Sequence, residues 1–369
     1  MYYNWQQESW PTFEYNLSDF EAMALSFREF EGQSVGILGG LTEGQKEESL
    51  ITLLVKEAIK TSVIEGEIIS RVDVISSIKK NWGYATPSFT IKDKRSEGIA
   101  ELLVKSRTEF AADLTVGMLF DWHKLLMKSN LKINIGQWRS HSEPMQVVSG
   151  NVGQEKIHFE ATPSGVVHGE MMQFINWFND SKPTGKAAIS NPVVRSAIAH
   201  LYFESIHPFE DGNGRIGRVI AEKALSQGLN RPILLSLSST IEADKKSYYQ
   251  ALQKGQKSNQ INDWIGYFGN IILKSQLTFT QSVAYSIKKA RFFDTHKTQL
   301  NERQLKVVGR MLEENENEFI GGMNATKYQA IAKTSKATAT RDLQDLVQKQ
   351  ILVSKDGGRS TNYQIKSMA

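Results

Sequence analysis

The chain reads as a mainly α-helical protein with one β-hairpin in its middle and a small separate domain of helices and a wing at its C-terminal end. Three observations predict this. Apolar residues recur at three-to-four spacing through most of the chain, the period of an amphipathic helix. Two short strand-like runs, Met145–Val148 and Lys156–Phe159, flank Ser149-Gly150-Asn151-Val152-Gly153, which is a hairpin signal. Beyond His296 three short helical patterns precede Ile351-Leu352-Val353, the turn Asp356-Gly357-Gly358-Arg359 and Asn362-Tyr363-Gln364-Ile365, a pattern of helices followed by a two-stranded wing.

A length of 369 residues, 40% hydrophobic and 23% charged, suits a globular protein of two or three domains. The absence of cysteine excludes disulfides, thiolate metal sites and a thiol nucleophile. The first residues carry no basic segment followed by an apolar run, and no apolar stretch is long enough to span a bilayer. The expectation is a cytoplasmic protein without a membrane partner. A net charge of +4 is too small over this length to argue for nucleic-acid binding.

Residues 1–95 form an N-terminal helical region. A helix over 18–32 carries Phe20, Met23, Leu25 and Phe27, and Gly39-Gly40 ends the pattern. A single long helix is expected over about 46–75, with Leu50, Leu53, Leu54, Ala58 and Ile59 on its apolar face. Residues 76–95, around Trp82-Gly83-Tyr84-Ala85-Thr86-Pro87, read as a loop. A central domain follows over 96–290. It opens with two helices between Glu97 and Lys128, and His123 on the second reads as a packed or half-exposed histidine with no companion ligand. After the hairpin come helices over Gly169–Phe178 and Asn191–Ser205, then a loop, then a helix to about Leu229. Pro232–Ser238 reads as a short strand or a buried turn, and Trp264–Ile287 as a last core helix or pair. The C-terminal domain covers 295–369.

The chemistry concentrates in the loop, His207-Pro-Phe-Glu-Asp-Gly-Asn-Gly-Arg-Ile-Gly-Arg218. His207 titrates near neutrality, and Asp211 is a hard oxygen ligand. Gly212, Asn213 and Gly214 make a tight turn at a helix N-terminus, whose free N–H groups and partial positive charge suit an anion. Arg215 and Arg218, three apart on one helix face, suit a polyphosphate. No Gly-Lys-Ser/Thr follows the glycines, so this is not a P-loop.

This stretch resembles the signature of the Fic family, His-x-Phe-x-Asp/Glu-Gly-Asn-Gly-Arg-x-x-Arg, at every fixed position. The hairpin resembles the Fic flap, whose edge would pair with an extended target segment. Thr61-Ser-Val-Ile-Glu65-Gly66 resembles the inhibitory motif that one Fic class carries N-terminal to the signature. Asp244–Leu252 resembles the Asp-Tyr-Tyr region, where Tyr248 or Tyr249 stacks on a base or simply fills the core.

What the resemblance implies is a protein adenylyltransferase that moves AMP from ATP to a Ser, Thr or Tyr hydroxyl. His207 would be the general base, with Phe209 anchoring the loop. Asp211 would hold Mg²⁺, and Gly212, Asn213 and Gly214 would cradle phosphate oxygens. Arg215 would meet the β-phosphate, and Arg218 the γ-phosphate or, at rest, Glu65. Glu67, two residues beyond Glu65, is expected on another side of the helix. Two other readings stay open: the reverse reaction, with Glu65 orienting a water, and a DNA-binding regulator using the winged helix. That segment carries Lys336 and Arg341 on its expected recognition helix and a mild basic excess. Candidate partners are ATP, a hydroxyl-bearing target protein along the flap, a second copy of the chain as a homodimer, and DNA.

Overall fold

The computed structural model describes residues 2–83, 91–130, 133–149, 156–312, 322–355 and 361–366. The expectations for Tyr84–Pro87 and for the turns Gly150–Gly153 and Asp356–Arg359 lie outside these residues. The chain divides into two compact units, one of Met1–Gly36 and Thr42–Phe279, the other of Ile37–Leu41 and Thr280–Ala369.

The first unit begins with α1 (Glu21–Gly39), α2 (Glu43–Ile64) and α3 (Arg71–Asn81). The long helix expected over 46–75 is therefore two helices. Thr42 starts α2 with a reciprocal cap: its side chain accepts from the Gln45 N–H, and the Gln45 side chain returns to the Thr42 N–H. A C-terminal turn ends α2. Gly66 sits at φ +80°, its N–H donates to Val63 O at 3.0 Å, and the Glu67 N–H donates to Ser62 O at 2.9 Å. Those two bonds define a Schellman turn. The apolar period survives such a turn, which is why it reads as one helix in sequence. The expected loop over 76–95 is also shorter, since α3 runs to Asn81 and α4 (Lys94–Thr108) starts at Lys94.

After α4 come α5 (Val116–Leu126), then β1 (Gln146–Ser149) and β2 (Lys156–Glu160) as an antiparallel hairpin with a register irregularity at Val147/Val148. Then follow α6 (Val167–Asp180), α7 (Pro192–Ile206), α8 (Asn213–Leu229), α9 (Leu237–Ala243), α10 (Lys245–Gly255) and α11 (Asn262–His296), whose residues from Thr280 on belong to the second unit. The segment left open as a short strand or a buried turn carries no strand: Ile233 and Leu235 are buried in it, and α9 starts at Leu237.

Every residue of α7 is buried, so this helix is the axis of the unit. It starts where Asn191 caps the Val193 and Val194 N–H groups at 3.0 and 3.3 Å, with Pro192 in the first turn. One apolar cluster, with Trp122, Phe174, Tyr202 and Phe209, and another, with Tyr248, Trp264 and Phe268, both include α7 residues.

The second unit holds α12 (Glu302–Met311), α13 (Ala325–Ala332), α14 (Lys336–Gln348), β3 (Leu352–Lys355) and β4 (Asn362–Ile365). The two strands are antiparallel, and Met323 bridges to Tyr363. Val307, Tyr328, Leu343, Leu346 and Ile351 form its core. Among the described residues no helix is long and apolar enough to cross a membrane.

Candidate active site

The loop from α7 to α8 is held in one shape by its own ends. His207 closes α7 in the left-handed region, φ 53° and ψ 59°, with its N–H on Phe203 O. Gly212 opens α8 at φ +82°, and a Cβ there would lie 2.4 Å from Met127 Cε. Only glycine avoids both the strain and the clash. Asn213 clasps the loop: its Nδ2 donates to Phe209 O at 2.8 Å, and its Oδ1 accepts the Phe209 N–H at 2.9 Å. The Asn213 side chain is thus spent on the loop itself, leaving its backbone N–H for a ligand. The first intrahelical bond of α8 is Ile216 N–H to Gly212 O, so the N–H groups of 213–215 form its free N-terminus.

Two residues to which the sequence assigned no role in the site hold this loop from outside. Arg139, 2% exposed, donates from Nε to His207 O at 2.8 Å and from Nη2 to Ile206 O at 3.1 Å, and also binds Ser164 and Thr162. It satisfies the carbonyls that the end of α7 leaves unpaired. His123, fully buried, stacks on Phe209 with ring centroids 4.1 Å apart. The Gly136 N–H donates to its Nδ1 at 2.8 Å, which leaves the ring proton on Nε2, 3.2 Å from Asp211 O. Of the packed and half-exposed alternatives for His123 the structure shows the packed one, and the ring also fixes the backbone of Asp211. Neither residue has a sequence motif of its own that marks it.

Around this frame the predicted residues converge. Arg215 and Arg218 are 3% and 1% exposed, while the Asp211 side chain remains 46% exposed. Asp211 Oδ1 accepts the Gly212 N–H at 2.6 Å and lies 3.4 Å from Arg215 Nη2. Glu65, at the cap of α2, meets Arg218 Nη2 at 2.7 Å. Thr61 completes the grip, accepting from Arg218 Nε at 2.9 Å on its hydroxyl and from Nη2 at 3.3 Å on its carbonyl. The Glu65 carboxylate also occupies the mouth of α8, since a Cβ on Gly214 would lie 2.5 Å from its Oε1. Lys245 donates to Ile64 O beside it.

Glu67 does not face away. Its Oε2 lies 2.8 Å from Arg215 Nη1, so each arginine already holds a carboxylate. The Schellman turn is the reason: beyond Ile64 the backbone no longer follows the helical period, and two carboxylates that a helix would splay come to one side. The tyrosines separate. Tyr248 is 1% exposed and its hydroxyl shares a 2.7 Å hydrogen bond with His200 Nε2, whereas Tyr249 is 36% exposed. Tyr248 is therefore a core aromatic here, and Tyr249 is the ring accessible to a ligand.

The electrostatics follow from burial. Burial would raise the Glu65 pKa, but Arg218 and then Arg215 and Lys245 hold it below the usual carboxylate range. Burial lowers the pKa of His207 to about 4, with Arg139 adding to the effect, so the imidazole is neutral at pH 7 with a lone pair free to accept a proton. Burial likewise lowers His123 to about 4 and His200 to about 3. All three bind protons near 6.5 in the unfolded chain and only well below that when folded. Their contribution is complete above pH 6.5 and drains away as pH falls, at up to about 1.4 kcal/mol per unit for each. The melting temperature is expected to drop continuously from pH 7 to pH 5; a flat profile would rule this out.

Comparison with known proteins agrees with this architecture. Residues 3–84 match a domain of unknown function (DUF4172), and residues 113–225 match the Fic/DOC family. A probable protein adenylyltransferase of Aquifex aeolicus is 30% identical over 160 residues, which are 41% of this chain and 48% of that protein. The match thus spans about half the relative's length. A Fido domain-containing protein of Dictyostelium discoideum is 31% identical over 135 residues, 35% of this chain and 87% of its own. Among solved structures, a Fic domain-containing signaling protein from Bacteroides thetaiotaomicron superposes with a TM-score of 0.54 at 17% identity, over 70% of this chain and 97% of that one. A Fic family protein from Desulfovibrio desulfuricans superposes at 0.51, with 17% identity, over 96% and 98%. With its helical fold, its loop and its matched central segment, the chain belongs to the Fic/DOC family.

Proposed function

We propose that the chain is a protein adenylyltransferase held at rest by its own α2. The observation that carries this reading is the convergence of a neutral imidazole, an exposed carboxylate and two buried arginines on the N-terminus of α8. In this reading His207 removes the proton from a Ser, Thr or Tyr hydroxyl of a target protein. The hydroxyl oxygen attacks the α-phosphorus of ATP, and pyrophosphate departs. Arg215, Arg218 and the N–H groups of 213–215 bind and orient the triphosphate, so their contribution is positioning and charge stabilisation. Tyr249 offers a face to the base.

Asp211 suits Mg²⁺, which takes one or two carboxylates and completes its shell with substrate phosphates and water. Its carboxylate is accessible and fixed by the Gly212 N–H. Bound there, Mg²⁺ would offset charge on the leaving group. Replacing Asp211 by alanine is expected to raise the Mg²⁺ concentration needed for half-maximal transfer about tenfold or more. An unchanged titration would remove Asp211 from this role.

The β-hairpin supplies the surface for a target strand. On β2 the carbonyls of Glu160 and His158 are already taken by the Trp5 and Gln253 side chains at 2.8 and 2.9 Å, so β1 is the better edge for strand addition. The second unit is read as a winged helix, with exposed Lys336 and Arg341 on α14 and exposed Lys355 on β3. The deciding experiment is incubation with labelled ATP and Mg²⁺, followed by mass spectrometry of the protein itself. Addition of AMP to a hydroxyl side chain is expected, and its absence even after Glu65→Gly would overturn the reading.

A further inference from the structure

One buried acid in the site has no part in binding or metal chemistry. Glu204 lies on α7, one turn before His207, and is 4% exposed. Its Oε2 is 3.6 Å from His207 Nδ1. Its Oε1 has no hydrogen-bond partner among the described residues, and neither does His207 Nδ1. The carboxyl reaches across to α8 at Gly217, where a Cβ would lie 2.3 Å from Oε1. Any larger residue at 217 would push the acid away, so the glycine preserves its place.

An unpaired carboxyl in a protein interior is costly, and an apolar residue would fill the same space without that cost. The groups facing it are His200 and His207 on α7, Arg218 on α8, Glu65 at the end of α2, and Tyr248 and Tyr249 on α10. Arg218 is engaged by Glu65 and Thr61, and His200 Nε2 by Tyr248. His200 Nδ1 is also without a hydrogen-bond partner among the described residues, and the Glu204 backbone carbonyl also acts on the His207 ring; the charge contact that the Glu204 side chain itself makes is from Oε2 to His207 Nδ1.

We propose that Glu204 is a positioning residue of the transfer reaction: its carboxylate takes the Nδ1 side of His207, leaves the Nε2 lone pair to the target hydroxyl, and stabilises the imidazolium formed there. This rests on the adenylyl-transfer reading. In the step, the hydroxyl O–H bond breaks and its proton goes to His207 Nε2. The oxygen–phosphorus bond forms, and the bond from the α-phosphorus to pyrophosphate breaks with its electron pair on the leaving group. Positive charge therefore appears on the ring while Nδ1–H faces Oε2. The 3.6 Å separation is that of a resting site, and such contacts tighten when substrate is bound.

Burial, with Glu65 opposite, raises the Glu204 pKa to about 8 although Arg218 opposes this. At rest near pH 7 the acid is neutral, so Glu204→Gln replaces it with a neutral isostere and the fold is kept. Two measurements on the full chain test the inference. In the Glu65→Gly background, the transfer rate from ATP is followed from pH 6 to 9.5 with and without Glu204→Gln. The rate with Glu204 is expected to rise through an inflection at or below pH 8, whereas the Gln variant stays flat. The two converge within about twofold at pH 6 and differ by about tenfold at pH 9. A purely structural role lowers both ends alike, and parallel profiles overturn the proposal.

Histidine-selective NMR of the otherwise wild-type chain is the second readout, independent of turnover. The His207 resonance is expected to show a further step near pH 8 that Glu204→Gln removes. Identical His207 titrations in a protein that transfers AMP overturn the role of Glu204 alone. No transfer at any pH in the Glu65→Gly protein overturns the adenylyl-transfer reading, and the role of Glu204 with it.

Discussion

Replacing His207 by asparagine is expected to remove AMP transfer while ATP still binds. The substitution is chosen for the backbone. His207 closes α7 in the left-handed region, which asparagine tolerates better than alanine, so the loop keeps its shape. What disappears is a neutral imidazole with its pKa near 4, the titratable base of the signature loop. Loss of a general base lowers the rate by about 10²–10⁴-fold. The arginines and the α8 N-terminus are untouched, so ATP affinity measured by calorimetry is expected to stay within about threefold. His207→Ala is expected to lose transfer equally and to melt at a lower temperature. Near-normal transfer by the Asn variant would remove His207 from the chemistry.

Replacing Glu65 by glycine is expected to raise self-modification by about 10²-fold. Glu65 holds Arg218 at 2.7 Å and its Oε1 stands over Gly214, so it occupies both an arginine and the space above the helix N-terminus. On the autoinhibition reading, a triphosphate entering that site would settle with its α-phosphorus displaced, and an ångström of misplacement is worth about 10²-fold in rate. Glycine is well tolerated because Glu65 is at the cap of α2 and not in its interior, where the substitution would cost about 1 kcal/mol. On the autoinhibition reading, Glu67 is expected to act as a second brake. Its contact with Arg215 predicts that Glu67→Gln also activates, by about tenfold, because the neutral amide releases the guanidinium. The double variant is expected to be the most active. Arg218→Ala in the Glu65→Gly background should lose transfer, since the arginine serves both states. If Glu65→Gly and Glu67→Gln both transfer at the wild-type rate, the autoinhibition reading fails.

The helical class, the hairpin and the loop at 207–218 are legible from sequence because each rests on local rules. Period, turn residues and a dense motif survive without tertiary information. Asn213 and Gly212 illustrate this, since the turn they build is closed by bonds within four residues. The break at Glu65–Gly66 is less legible: one glycine after an unbroken apolar period reads as a tolerated helix position until its φ is known. Arg139 and His123 carry no local signal at all. Their partners lie 68 and 88 positions away, and a buried arginine looks like a surface one in a string of letters.

The sequence by itself therefore determined the chemistry available to this chain: a base, a carboxylate, two arginines and a helix N-terminus in one loop, and a carboxylate motif upstream. The tertiary structure alone decided what those groups do to one another. It turned α2 back so that Glu65 and Glu67, separated from Arg218 and Arg215 by 153 and 148 positions, each claim one arginine. It also buried Glu204 against the open edge of His207. The physical reason is that a charge's partner, exposure and local dielectric are properties of the packed interior, and the periodicity of a chain specifies only which faces enter it.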